Sequence, residues 1–160
     1  MNQSQKQIIQ KYTDHSESDD VQQGYKALIH FLLALRNHFK NLEPSEYSVG
    51  SFYQGYMDIS YFPVINSTLK RHKLKVGLIF NHGKMQFELW LLGQNKQIQK
   101  KHWERFKDLT AYKYPCSKSA HQSISEIVID DNPDYSDLKK LTNTIEQKTL
   151  SFIDEISQLL

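Results

Sequence analysis

Asp58 and Glu88 are the only carboxylates in the three strand-like stretches between residues 51 and 92. Two such groups a few ångström apart hold a divalent cation through oxygen ligands, or divide the work of acid and base with separated pKa values. Gln54, Tyr56 and Ser60 share the parity of Asp58, and Gln86 and Trp90 share that of Glu88. If both parities face one side, that face carries two carboxylates with Gln54, Tyr56 and Trp90 around them, the residue set of a small hydrolase or ligand site. The plainer expectation is that each carboxylate pairs with a lysine or arginine of the basic segment that follows, which makes Glu88 an ion-pairing residue on the second sheet face.

Other chemistries find less to work with. The seven histidines show no His-x-x-x-His, no Glu-x-x-His and no cysteine pair, so neither a metal nor any other cofactor is expected. The one cysteine, Cys116, lies beside lysines but has no recognisable base, and it rules out an internal disulfide. Six glycines form no phosphate-binding loop. The turn "LLGQNK" leads into a helix start where Asn95 and Lys96 suit an anion. Charge is the stronger signal: residues 70–118 hold 12 of the 20 Lys and Arg, against only Glu88, Glu104 and Asp108 among the acids. "LKRHKLK" and "KQIQKKHWERFK", the latter with Lys96, Lys100, Lys101 and Arg105, are basic, and periodicity leaves Trp103 as an exposed aromatic. Phosphate neutralisation with some stacking would use that mix, so an anionic partner, nucleic acid included, is expected; ion pairing within the fold is the competing account.

The elements that must position these residues alternate in type. Gln3–Tyr12 is a marginal helix, and "TDHSESDD" reads as a polar linker with Asp19 or Asp20 capping the next helix. Val21–Phe39 places Tyr25, Leu28, Leu32, Leu35 and Phe39 on one stripe, widened by Ile29, Phe31 and Leu33, and "NLEPSE" ends it. "SFYQGYMDISYFPVI" alternates as one strand stopping near Pro63. "KLKVGLIF" and "MQFELWLL" flank "NHGK", a tight hairpin with His82 and Gly83 central, Gly83 at positive φ, and Asn81 opposite Lys84. That register sets Phe80, Leu78 and Val76 opposite Met85, Phe87 and Leu89 on the core face, and puts Glu88 across from Gly77 on the other. Asn95–Leu109 is a helix with Ile98, His102, Phe106 and Leu109 inward. "ISEIVID" is a fourth strand, and the last helix carries Leu138, Leu141, Ile145, Phe152, Ile156 and Leu159 inward.

Within residues 53–106, "YQGYMDISYF", "KLKVGLIFNH" and "FELWLLGQNKQIQKKHW" resemble a family of small uncharacterised bacterial proteins classed as a domain of unknown function. The resemblance covers about a third of the chain and implies no activity. The α-β-β-β-α-β order is also similar to the core of the restriction-endonuclease-like nucleases, which implies an acid on the second core strand and a Glu-x-Lys on the third. Here Trp90 stands where that lysine would be, the second strand has no carboxylate, and the nearest acid is Asp58 on the first.

The expectation is therefore an α+β fold of order α-β-β-β-α-β-α, a three-stranded antiparallel meander joined by a fourth strand in a mixed sheet, with helices packed on it. It forms one domain over residues 1–160, the first 19 being marginal helix and linker. A hydrophobic fraction of 39% is globular. With no signal-peptide core or membrane-length apolar run, a soluble cytoplasmic protein is expected. Three functions compete: a binding domain for an anionic partner, a divalent-metal hydrolase or degenerate nuclease using Asp58 and Glu88, and a protein–protein adaptor built on an exposed Trp90 or Trp103.

Overall fold

The structure, a computed structural model, describes residues 2–42 and 45–160. Glu43 and Pro44, in the stretch expected to end the long helix, lie outside the described residues. Residues 1–37 form one compact unit and residues 38–160 another.

The first unit holds α1 (Gln3–Ser16) and most of α2 (Asp19–Asn41). A capping box opens α1: the Asn2 side chain accepts the Gln5 N–H at 2.8 Å, and Gln5 Oε1 accepts the Asn2 N–H at 2.9 Å. None of its residues is buried, as its sparse apolar content implies. The helix nevertheless runs through Thr13–Ser16, which polarity alone assigns to a linker, so only Glu17 and Ser18 join α1 to α2. Asp19 and Asp20 are then first-turn residues, not caps, with their charges at the helix N-terminus. Along α2, Ile29, Leu32, Leu35 and Phe39 are buried, whereas Leu33 is exposed, so the apolar stripe is narrower than expected.

The second unit is built on a six-stranded sheet: β1 (Tyr47–Val49), β2 (Tyr53–Gln54), β3 (Ile59–Asn66), β4 (Leu74–Asn81), β5 (Gln86–Gly93) and β6 (Ser125–Asp130). The order is β1-β3-β4-β5-β6, with β2 also on β3, and every pairing is antiparallel. β3, β4, β5 and β6 are successive antiparallel neighbours, but β1 and β2 add two short strands and α3 interrupts the expected α-β-β-β-α-β-α order, so the sheet is neither four-stranded nor mixed. Helix α3 (Ser67–Arg71) bridges β3 and β4, α4 (Lys96–Lys107) packs on β5, and α5 (Leu138–Gln158) lies against β6. One sheet face is apolar and sealed: Phe62 and Val64, Val76, Leu78 and Phe80, and Phe87, Leu89 and Leu91 are all buried. Phe39 at the end of α2 packs on Phe62 at 5.8 Å between ring centroids. Each such side chain contributes ~1.5–3 kcal/mol on burial, so a one-residue slip that exchanged them for Ile79, Glu88 and Trp90 is strongly excluded. In α5, Ile153 joins the buried set and Leu138 is exposed, because the inward stripe begins at Leu141.

The run from Ser51 to Ile65 is two strands, not one. Gly55 N–H donates to the Ile59 carbonyl at 3.0 Å, folding β2 back on β3. A Cβ on Gly55 would lie 2.2 Å from Asp58 Oδ1 and 2.4 Å from the Ile59 carbonyl, so only glycine fits. β3 also continues through Pro63. Gly50 N–H donates to the Pro63 carbonyl at 2.9 Å, so the proline's backbone edge faces the gap between β1 and β2 and its missing N–H removes no bond to β4.

The β4–β5 register differs from the expected one by two residues. Asn81 pairs with Gln86, Phe80 with Phe87, Leu78 with Leu89 and Val76 with Leu91. His82–Met85 thus form a four-residue turn. An even slip preserves alternation, so the faces are as expected, but Met85 leaves the core for the exposed turn and Glu88 sits opposite Ile79, with Trp90 opposite Gly77. The reason is Asn81, whose Oδ1 accepts the Lys84 N–H at 3.1 Å and so builds a wider turn. Positive φ falls on Met85 (52°), and Gly83 has none. Accordingly, Gly83→Ala should change stability by less than ~0.5 kcal/mol, and Met85→Gly should cause no loss because glycine tolerates the left-handed region. Urea denaturation of both variants checks this; a loss of about 1–2 kcal/mol in Gly83→Ala would restore the two-residue turn.

Candidate functional site

Glu88 belongs to the second sheet face and is only 5% exposed. Three donors surround its carboxyl: Gln86 Nε2 at 2.5 Å and Asn81 Nδ2 at 3.1 Å on Oε1, and Trp90 Nε1 at 2.7 Å on Oε2. All three are neutral, and among the described residues Glu88 makes no ion pair. The expected pairing with the basic helix is therefore not what holds it. Period two in β5 puts Gln86, Glu88 and Trp90 side by side, and the cross-strand neighbour of Gln86 supplies Asn81. The same Asn81 closes the hairpin turn, so the carboxyl, the turn and the Trp90 indole are one connected network.

Asp58 has different company. It lies in the turn before β3, exposed, and the backbone N–H groups of Ile59, Asp58 itself and Tyr56 hold its carboxyl below the usual carboxylate range. Its carbonyl accepts the His82 N–H at 2.9 Å, linking the β2–β3 and β4–β5 loops. His82 Nε2 lies 2.8 Å from Ser60 Oγ, and Ser60, at 1% exposure, is too deeply buried to act as a nucleophile. Gln54 pairs opposite Ser60, on the core parity, while Tyr61 pairs opposite Ile79 on the Glu88 parity. The structure thus does not gather Asp58, Gln54 and Glu88 on one face. Tyr56 is 96% exposed at the loop tip, next in the chain to exposed Met57. Among the described residues, no group of three or more His, Cys, Asp or Glu side chains could hold a metal ion.

The opposite end of the sheet holds a concavity. Ile65, Lys70, Lys73, Leu74, Lys75 and Gln94 line a concavity of about 200 Å³. Asn66 caps α3 through the Leu69 N–H at 2.8 Å, and Lys73 ends it at φ 57°, in the left-handed region. Lys73 is held from both sides: its N–H donates to the Lys70 carbonyl at 3.1 Å, and its carbonyl accepts the Gln94 N–H at 2.8 Å. Gln94 leads directly into α4, whose N-cap Asn95 accepts the Ile98 N–H at 2.9 Å. Gly93 allows this corner sterically, since a Cβ there would come within 2.5 Å of Gln99 N. The sequence offered both "LKRHKLK" and the α4 segment as basic stretches, but its basic candidates Lys96, Lys100, Lys101 and Arg105 all lie in α4, and nothing periodic in it brings Lys70, Lys73 and Lys75 to one concavity.

The α4 residues divide by their partners. Lys96 and Lys101 are exposed and make no ion pair among the described residues. Lys100 approaches Glu104 at 3.8 Å, both well exposed, a contact worth ~0.3–0.5 kcal/mol. Arg105 donates to the Leu159 carbonyl at 2.7 Å. Trp103 is half-buried, not the expected free aromatic; its Nε1 donates to the Ser117 carbonyl at 2.9 Å and Lys107 sits 4.9 Å over its ring. His102 is buried with Nδ1 unpartnered, and its ring meets His72 at the end of α3 at 6.3 Å. Burial first, then Arg105, His72 and Lys101, push His102 toward the neutral form.

Two outcomes test this division of roles. Glu88→Gln turns a donor toward donors and should lower the unfolding free energy by about 1–3 kcal/mol; unchanged stability in urea would remove Glu88 from its place in the fold. Burial also pulls His82 below its ordinary 6.5, with Asp58 opposing only in part. A depressed histidine contributes stability above its unfolded value that is lost as pH falls through the folded one, and His102 has the same sign. Stability should therefore decline as pH falls below about 6.5, less steeply in His82→Gln, and a profile that stays flat below that value would contradict it.

No helix of the described residues is long and apolar enough to cross a membrane. No curated protein and no solved structure matches the chain. A family described as a domain of unknown function (DUF7000) matches residues 5–160, and with nearly its whole length covered the chain belongs to that family.

Proposed function

We propose that this chain is a non-enzymatic binding domain whose basic surface takes an anionic partner, with nucleic acid the first class to test. The observation that carries the reading is the concavity in which Lys70, Lys73 and Lys75 converge with Gln94. The basic surface would extend from there along α4, through Asn95 and Lys96, and past the His72–His102 contact to Lys101. Lys100 could join it, since its exposed contact with Glu104 is weak. Arg105 contributes less, being engaged by the Leu159 carbonyl.

Contacts to phosphate fit this surface better than stacking on bases. The Trp103 ring already carries Lys107, and Tyr56, the most exposed aromatic, stands at the other end of the sheet. The eight residues of β4 span roughly 23 Å between those ends. A hydrolase using Asp58 and Glu88 has no observation in its favour, because each carboxyl is engaged by its own loop or strand. Neither Trp90 nor Trp103 offers a free indole N–H for an adaptor surface.

Fluorescence anisotropy with labelled single- and double-stranded oligonucleotides, at ~50 and ~200 mM salt with and without Mg²⁺, tests the reading. Counterion release over about three phosphate contacts predicts a ~40-fold loss of affinity for duplex and a ~20-fold loss for single strands across that range. The triple variant Lys70→Glu, Lys73→Glu, Lys75→Glu should bind at least ~10-fold more weakly and lose most of that salt dependence. Binding that ignores the triple substitution, or no binding at low salt, would refute it.

A further inference from the structure

We infer that the concavity at Lys70, Lys73 and Lys75 is a site for a phosphomonoester, a doubly charged terminal phosphate carrying one organic substituent. This rests on the anion-binding reading above and adds the class of ligand. The size comes first. About 200 Å³ is smaller than the ~300–1,000 Å³ of pockets that enclose whole drug-sized ligands, so the site would take a headgroup and leave the rest outside. The charge comes next. The cationic residues lining it are three lysines; an ammonium binds phosphate as a compact point charge with three rotatable donors, and three such charges together suit a dianion better than a singly charged group. Ile65 and Leu74 supply an apolar wall for the ester substituent, and the Gln94 amide a neutral hydrogen-bonding group.

The backbone of Lys73 adds a local observation: like Met57 and Met85 in the hairpin-end turns it has positive φ, but Lys73 also lines the concavity. A lysine occupies the left-handed position that closes α3, at φ 57°, where glycine is the unstrained choice. The two hydrogen bonds on Lys73, to the Lys70 carbonyl and from the Gln94 N–H, lock it between two walls of the concavity. Strained non-glycine positions persist where the surrounding structure over-determines them, and they concentrate at ligand sites. Replacing Lys73 by glycine removes the ammonium and relieves the strain together, so a binding role and a structural role predict opposite results.

The test uses the full chain and two kinds of probe. The first is a short 3′-labelled single-stranded oligonucleotide with a 5′-phosphate or a 5′-hydroxyl. The second is glycerol 3-phosphate against dimethyl phosphate, a singly charged diester, as competitors. A preference of about tenfold for the phosphorylated end identifies a chain terminus as the source of the group. Displacement by glycerol 3-phosphate and not by dimethyl phosphate, without an end preference, identifies a small ester. In either case the preference should shrink from pH 7.5 to 5.5 as the phosphate loses its second charge near pH 6. It should also be lost in Lys73→Gly, with a melting temperature equal to or above the parent's. Equal affinity for both ends together with equal competition would overturn the inference; if that binding still depended on the three lysines, the broader anion reading would stand. No binding of any probe would overturn both.

Discussion

A carboxylate taken out of water must be compensated, and the half of the molecule around the β4–β5 hairpin is arranged around that requirement at Glu88. Leaving such a charge unpaired costs several kcal/mol. A hydrogen bond to a charged group returns ~1.5–3 kcal/mol, so three neutral donors are enough and no lysine is needed. Asn81, Gln86 and Trp90 provide them. Because Asn81 reaches Glu88 with its amide nitrogen and Lys84 with its amide oxygen, the buried charge also dictates the shape of the exposed turn. That turn carries His82, whose backbone and ring fasten the neighbouring loop through Asp58 and Ser60. Residues that look catalytic by type are thus consumed in holding two loops together.

That consumption separates the sheet into two ends with different duties. At the hairpin end, polar groups are mutually satisfied. At the α3–α4 end, three lysines line one concavity with Gln94. Within the basic segment, Lys100 pairs with Glu104 and Lys113 with Glu155, while Lys107 and Arg105 are engaged by the Trp103 ring and the Leu159 carbonyl.

Much of the fold was legible in the residues. Alternation in "KVGLIF" and "FELWLL" identifies both sheet faces, and helical spacing in α2 and α5 identifies most of their buried stripes. What was not legible turns on features with no periodic signature. A two-residue slip leaves alternation intact, so pattern alone could not distinguish Asn81–Lys84 from Asn81–Gln86 pairing, and "HG" looks like a tight turn until the Asn81 side chain is seen to widen it. "SFYQGYMDISYFPVI" alternates without interruption across a loop, because the contact between Gly55 and Asp58 is steric and local. The basic segment was visible as composition, but its concavity was not: it requires Lys73 in the left-handed region and Gln94 returning from the far end of β5.

The central claim is that the hairpin acids serve the fold and the lysine corner serves the partner. The most direct measurement is amide chemical-shift mapping of the ¹⁵N-labelled chain during titration with inorganic phosphate. The account predicts saturable shifts at Lys70–Lys75, Gln94 and the start of α4, with Tyr56–Asp58 and His82–Trp90 unmoved. Saturable shifts centred on Asp58 and Glu88, with the lysine corner silent, would contradict it.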